Sequence, residues 1–433
     1  VLIDPRHLNH VRVERDGQEL SANIGAGCQI KRVLRELKRQ ARGTLPSIGL
    51  ITEQTIAGAT ATGTHGSGKH SLSHYIKEVR LATYDPATGQ PIIRVVRDGR
   101  ELLAARCSLG CMGVILSVTV QCRPSYMVEE HVRKYSTLDD VLATEPEYLL
   151  QQFFLIPWSW RFMGQHRREV ESRRSWLAPV YRAYWFVAVD LCLHLWILLI
   201  ARWLRSNRII RFFFRWILPQ TVVYGWHIVD HSYAQLTMEH ELFRHIEIEM
   251  FVNRVKLSDA TSFVREVLQC FDSPTASLSD RWREELARVG LLEMLQSSAG
   301  AYTHHYPICF RRVLPDDTLI SMASGEGEPW YAMSFISYAR PADRAGFLAF
   351  ARFLAVSMMK LFGARPHWGK VIPVDPESLD TVYPRLKEFR DICAAFDPGR
   401  VFANRWASEL VGMQSGVRSS KRESGVGSRQ SGE

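Results

Sequence analysis

Along the first 126 residues, apolar and polar positions alternate in short blocks separated by glycine-containing turns. His10-Val-Arg-Val-Glu14 has the two-residue period of a half-buried strand, and Asp16-Gly17 supplies the turn after it. Residues 20–24 read as the next strand, ending at Gly25-Ala-Gly27. Across Ile30–Ala41, Val33, Leu34 and Leu37 fall at helical spacing with basic residues opposite. Residues 76–83 and 91–96 predict a hairpin closed by residues 85–89. Residues 101–107 predict a short helix, and a glycine-kinked turn from Ser108 feeds a β-branched strand running to Val120. From Val128 to about Asp375, strand-like runs at 149–156, 245–251 and 330–337 mix with helix-like runs at 259–270 and 347–361. That mixture predicts an α+β class.

One stretch breaks the pattern. Residues 183–201 are almost entirely apolar, interrupted only by Asp190 and His194 and bracketed by Arg182 and Arg202. The length is close to the ~20 residues that cross a bilayer. Arginines and aromatic residues follow, from Trp203 through Arg208 and Arg211 to Phe212-Phe-Phe-Arg-Trp216. Such a mixture suits a segment lying among lipid headgroups. Three placements are open: an interfacial insertion or re-entrant hairpin, a true span, and a buried helix of a soluble unit. A single span would put two halves of one unit on opposite sides of the membrane, which favours the interfacial placement. Asp190 and His194, at i and i+4, can pair on one helix face.

Composition adds partners rather than fold. The 433 residues, 46% hydrophobic and 11% aromatic, suffice for two or three domains with large cores. A net charge of +9 argues for an anionic partner, either a phosphate-bearing cofactor or a membrane surface. No nucleic-acid module is recognisable, so DNA and RNA are not expected partners. The eight cysteines are scattered without a CxxC or zinc spacing, which predicts free thiols in a reducing compartment and no metal site. Val1-Leu-Ile-Asp4 reads as if the chain begins inside an element, and the Ser/Gly/Arg-rich residues 413–433 predict a disordered tail.

The candidate chemistry begins at Thr55-Ile-Ala-Gly-Ala-Thr-Ala-Thr-Gly-Thr-His-Gly-Ser-Gly68. Glycines permit close backbone approach, small hydroxyl residues add donors, and successive N–H groups in such a turn can converge on an anion. The run lacks both the GKS/T ending of a Walker loop and the spacing of a dinucleotide fingerprint. A surface turn therefore remains open beside a phosphate cradle.

Two further segments join this run: Ser108-Leu-Gly-Cys-Met-Gly-Val-Ile115, and Arg365-Pro-His-Trp-Gly-Lys370 with Tyr383-Pro-Arg385 and Phe396-Asp-Pro-Gly-Arg-Val-Phe-Ala-Asn404. In this order they resemble the aldonolactone and alditol oxidase branch of the vanillyl-alcohol-oxidase-type (PCMH-type) flavoproteins, which includes arabinono- and gulonolactone oxidases. Residues 160–240 have no counterpart in the resemblance. It implies FAD and a two-lobed α+β FAD-binding domain at 1–126, with its first lobe upstream of this sequence. A cap or substrate domain would occupy 127–375 and carry the insert at about 176–220, before a return to the FAD-binding domain at 376–412. Thr55, Ile56, Gly58, Thr62, Gly63, Thr64, His65, Gly66, Ser67 and Gly68 would wrap the pyrophosphate. Gly110, Gly113, Val114 and Ile115 would line the adenosine and ribityl side. The family's covalently linked histidine belongs to the upstream turn, so His65 is expected to pack in its own turn and hydrogen-bond locally.

The resemblance also assigns catalytic cations. Lys370 matches the lysine of the HWGK element and Arg311 the arginine of a Glu-x-Arg element. Such charges would stabilise the donor oxygen or the reduced flavin. Four matching positions depart from the family: its glutamate is Cys309, its His-Phe-Thr element is Ser334-Phe-Ile336, and its serine before the TIAG run is Leu50. Those polar groups contact polyol hydroxyls, so their loss predicts a more apolar pocket and a lipophilic donor. Cys309 is expected to be a small buried hydrophobe and Glu249 a structural carboxylate near the cap edge. The expectation is an FAD-dependent oxidoreductase that takes hydride from a CH–OH donor and is reoxidised by oxygen or a membrane acceptor. The alternatives are a reductase, or a flavin-binding protein that has lost alcohol oxidation. The membrane-associated site would face the cytoplasm.

Overall fold

The computed structural model describes residues 3–204, 206–238, 244–403 and 405–412. The expected tail lies outside the described residues. Two antiparallel sheets organise the chain. The first has six strands, with Val11–Asp16, Glu19–Gly25, Val114–Pro124, Ile76–Tyr84 and Pro91–Val96 adjacent in that order; Gly43–Thr44 also pairs with Val114–Pro124. The helix Ile30–Ala41 buries Ile30, Val33, Leu34 and Leu37, the stripe its spacing predicts, and stops at Arg42 in the left-handed region. The 76–84/91–96 hairpin forms as expected, with Val79 opposite Val96.

The second sheet has eight strands, ordered His227–His231, Met127–Tyr135, Arg161–Val170, Gln152–Ile156, Ile308–Val313, Trp330–Ser337, Ile246–Asn253 and Arg365–Pro366. Its register decides the site. Cys309 lies opposite Ser334, Ser334 opposite Glu249, and Ile336 opposite Glu247. Because side chains alternate between faces, these residues and Arg311 share one face. Phe153, Phe310, Phe335 and Ile248 occupy the other face and are fully buried in the main core, which also contains the helices Leu257–Asp272 and Ala345–Phe362. One face therefore supplies stability and the other is left for chemistry.

The chain then returns to the first sheet. Leu386–Phe396 docks there through Thr83, whose hydroxyl donates to the Phe396 carbonyl at 3.2 Å, and Arg94 lies 3.8 Å over the Phe396 ring.

The apolar insert forms a helical hairpin. Ala178–Leu204 is continuous over 27 residues, with a mean hydropathy of 2.0 in its most apolar 18-residue window, and includes π-helical turns at Phe186–Leu193 and Leu199–Leu204. Ser206 accepts from the Ile209 N–H and starts the returning helical run of 207–221. Ile197, Ile200, Ile210, Phe213 and Phe214 pack inward on Ile156, Trp158 and Tyr338. The opposite face is bare: Trp196, Trp203, Phe212 and Trp216 are 54%, 73%, 58% and 59% exposed. A second helix of spanning length, Ala345–Phe362, is half buried and belongs to the core.

Candidate active site

A cavity of about 430 Å³ lies where the Thr/Gly segment, the open face of the second sheet and the 365–370 corner meet. The corner is held rigidly from behind. The buried Arg365 guanidinium donates to the carbonyls of Val382 and Ser324 at 2.7 Å, and Trp368 Nε1 donates to the Ile320 carbonyl at 2.5 Å. Tyr383 donates its hydroxyl to the Pro366 carbonyl at 2.7 Å. With Arg365 and Trp368 fixed, His367 and Lys370 face the cavity.

Two carboxylates on one strand organise the charges. Glu247 pairs with Lys370 and lies 3.5 Å from His245 Nε2. Burial works against the ionised form, but Lys370 and His245 hold the Glu247 carboxyl down to about 2. Burial likewise opposes charge on Lys370, and Glu247 and Glu249 outweigh it, so its ammonium is held above the usual range. Glu249 accepts from Ser334 Oγ at 2.7 Å and lies 3.5 Å from His65 Nε2 and 3.9 Å from His367 Nε2. Against the cost of burial, His65, His367 and Lys370 hold it well below the ordinary carboxylate range. Burial pushes His367 down to about 3. Its Nδ1 accepts the Gly369 N–H at 2.9 Å, which leaves the proton on Nε2, toward Glu249.

Arg311 and Lys370 line the same cavity. Cys309, Glu249 and Glu247 keep Arg311 charged despite burial, and its Nε is buried without a protein partner. Such a donor calls for a bound acceptor. Burial raises the Cys309 thiol, in line with its reading as a small hydrophobe. His65 behaves as its turn suggests: Nδ1 lies 3.0 Å from the Gly66 carbonyl and the ring packs edge-on to Phe251.

The glycine-rich run departs from a simple turn. Ile56–Ala61 is a short helix, with Thr55 Oγ1 accepting the Gly58 N–H at 3.3 Å. The Ala59 and Thr64 N–H groups bond to the Thr55 and Ala59 carbonyls, so a continuous fan of outward amides does not form. Thr55, Gly58, Thr62, Thr64 and His65 reach the cavity. Ile56 is buried in the core, and Gly63 sits at φ +73 against Met322. Gly66 packs on the Ile48 carbonyl. Ser67 donates to the Gln151 carbonyl and Gly68 N–H to the Arg312 carbonyl, so that turn ties the two sheets together. Gly110, Gly113, Val114 and Ile115 do not line the cavity; Leu109 N–H bonds to the Ala61 carbonyl and anchors their turn behind the short helix.

Several lining groups escaped the sequence reading. His245, Glu247, Tyr306 and Met238 face the cavity, as does His194, which the sequence placed only on the apolar helix. His194 Nε2 lies 3.3 Å from the Tyr306 hydroxyl and Nδ1 lies 2.8 Å from the Val189 carbonyl. The one available signal was Ile246-Glu-Ile-Glu-Met250, where two carboxylates alternate with apolar residues in a strand. His65, Glu249 and His367 also bring potential metal-ligand atoms within 4.8 Å of one another, a juxtaposition that cysteine spacing does not reveal.

Comparison with known proteins decides the family. The sequence profile of D-arabinono-1,4-lactone oxidase matches residues 118–410, and that of an FAD binding domain matches residues 1–88. The chain belongs to the D-arabinono-1,4-lactone oxidase family. Within it, a "long-chain alcohol oxidase" of an uncultured marine euryarchaeote is 52% identical over 411 residues, covering 95% of this chain and 86% of that protein. The L-gulonolactone oxidase of Mus musculus is 23% identical, covering 84% and 76% respectively. The alditol oxidase of a Streptomyces species is 23% identical, covering 90% and 81%. Cholesterol oxidase from B. sterolicum shares the fold, with a TM-score of 0.68 at 14% identity over 94% of this chain and 84% of that one.

This family member is an FAD-dependent oxidoreductase acting on CH–OH donors. The cavity's donors fit such a cofactor. A Cβ at Gly58 would meet only Thr55 Oγ1, at 3.3 Å, and one at Gly369 would lie 3.3 Å from Thr62 Oγ1. Glycine at both positions keeps the lining open beside Thr55 and Thr62, and Arg311 Nε is a buried donor left for a bound group.

Proposed function

We propose that this enzyme oxidises a long-chain or otherwise lipophilic alcohol to the aldehyde at a membrane surface. The observation that carries the reading is the apolar part of the cavity lining. Leu50, Met238 and Ile336 line it, and two of them stand where the family resemblance calls for hydroxyl-bearing residues. A site that leaves polyol hydroxyls unpaired discriminates against them strongly. The relative at 52% identity carries the name long-chain alcohol oxidase, which supports the same donor class.

Thr55, Gly58, Thr62, Thr64 and His65 would hold FAD, with Arg311 near its reacting end. When bound, FAD supplies the two-electron acceptor for the hydride that leaves the carbinol carbon. Lys370 and Arg311 stabilise charge developing on the donor oxygen. His245 takes the hydroxyl proton, and Glu247 behind it steadies the resulting imidazolium. Apolar walls exclude water from these charges and strengthen them.

The bare face of the hairpin would lie in the lipid interface. Trp196, Trp203 and Trp216 form its apolar side, and Arg208 and Arg215 supply cations along the same hairpin, while Arg211 ties it to Asp272. Free cysteines throughout the chain accord with the cytoplasmic side of that membrane.

The test uses the full chain loaded with FAD. Anaerobic hexadecanol in mixed micelles should bleach the flavin and yield the aldehyde, with aldonolactones far slower. Turnover of aldonolactones without turnover of long-chain alcohols overturns the reading. Sedimentation with anionic vesicles tests the surface, and loss of binding on Trp196→Ser with Trp203→Ser is the expected outcome.

A further inference from the structure

A second cavity, of about 210 Å³, adjoins the first. Five residues line both: Leu50, Met238, Tyr306, Arg311 and Ile336. They form a neck, and three of the five are aliphatic or thioether side chains. Beyond the neck the second cavity runs under the hairpin, where Trp185, Phe186 and Val189 line it. Phe186 is also 37% exposed and Val187 beside it is 50% exposed, on the helix whose outer face is apolar. One helix thus borders both the cavity and the exposed apolar surface.

Two groups of polar side chains in the lining of this second cavity are paired internally. Glu130 is held by Arg167 and by the Tyr181 hydroxyl, and Gln152 donates to Gln165 at 2.5 Å. Paired in this way, these five side chains can border an aliphatic chain with their polar groups satisfied. Cys309 and Ser334 also line it, and Ser334 turns its hydroxyl to Glu249.

We propose that the second cavity holds the aliphatic tail of the donor, which reaches the reacting site from the lipid interface past Phe186. This inference rests on the lipophilic-donor reading and adds the path. The alcohol group lies beside Lys370 and Arg311, the chain passes between Leu50, Met238 and Ile336, and its distal end lies against Val189. The hairpin is then part of the substrate site as well as the membrane contact.

The experiment compares kcat/KM for hexanol through hexadecanol in the FAD-loaded wild type and in Val189→Trp. In the wild type, kcat/KM should climb by about fourfold for each methylene added until the cavity is filled. In Val189→Trp the ratio for hexadecanol over hexanol should fall by about tenfold or more, because the indole occupies tail space. Phe186→Trp, at the half-exposed mouth, should move the ratio the same way and serves if the first variant does not fold. An unchanged chain-length profile in a folded variant overturns the path while leaving the lipophilic donor intact. A wild type inactive on every long-chain alcohol overturns the donor reading itself.

Discussion

Replacing Lys370 by Met separates the two roles that its position allows. The ammonium faces the cavity and also neutralises Glu247, whose side chain is only 8% exposed. Removing one partner of a buried ion pair costs about 3–5 kcal/mol of stability, because a charge is left without compensation. Removing an electrostatic stabiliser of the reacting oxygen costs roughly 10²–10³ in kcat. Lys370→Met alone should show both losses. Adding Glu247→Gln removes the stranded carboxylate, so Glu247→Gln/Lys370→Met should recover stability to within about 1 kcal/mol of the wild type. The rate should stay low. Urea unfolding of FAD-loaded protein reads the first quantity, and anaerobic stopped-flow bleaching with excess alcohol reads the second. If the double variant regains rate together with stability, Lys370 acts only as the structural partner of Glu247 and its catalytic assignment is wrong.

Arg311→Lys should lower kcat/KM by about 1.5–3 kcal/mol of transition-state stabilisation, since a point charge cannot replace the fork and its inward Nε; steady-state kinetics at saturating FAD checks it. Gly68→Ala should abolish folding, because the new Cβ would lie 1.9 Å from the Leu149 carbonyl oxygen at φ +79; Gly110→Ala, at φ +77 with nothing within 4 Å, should cost only about 1–2 kcal/mol in urea unfolding. Glu247 has its carboxyl depressed to about 2 in the fold. Its stabilising contribution is therefore complete above the unfolded value near ~4.3 and drains away as pH falls toward 2, a loss that Glu247→Gln should remove from the acid limb of the stability curve measured by urea unfolding.

What could be read along the chain was local. The Ile30–Ala41 stripe, the 76–84/91–96 hairpin and the Trp330–Ser337 strand follow from period and turn residues alone. Lys370 and Arg311 were legible because they sit inside motifs with neighbours at fixed spacing. His245, Glu247 and Tyr306 were not, because strand register brings them together: Glu247 faces Ile336, and Tyr306 lies just before the strand that carries Arg311. Register joins residues some ninety positions apart, and no local period reports it. The glycine-rich run failed differently. Thr55 is a good N-cap and Ala57, Ala59 and Ala61 favour helix, so Ile56–Ala61 coils despite Gly58.

The same register explains why loss of polyol contacts need not mean loss of chemistry. Cys309, Ser334 and Ile336 lie on two adjacent strands, and their side chains share the face that carries Arg311, Glu247 and Glu249. In the proposed reading, the first three stand where the family resemblance calls for groups that contact substrate hydroxyls. The charges assigned to the chemistry in that reading have contacts outside the changed set: Lys370 with Glu247, and Glu249 with His65. Leu50 extends the apolar strip across to the first unit, where the Met238 N–H bonds to its carbonyl at 2.9 Å and draws the segment after the hairpin onto the cavity wall. Specificity and chemistry thus occupy neighbouring positions with separate supports. In the proposed reading, exchanging a few polar side chains and inserting one helical hairpin converts a polyol site into a lipid-facing one, with Lys370 and Arg311 left in place.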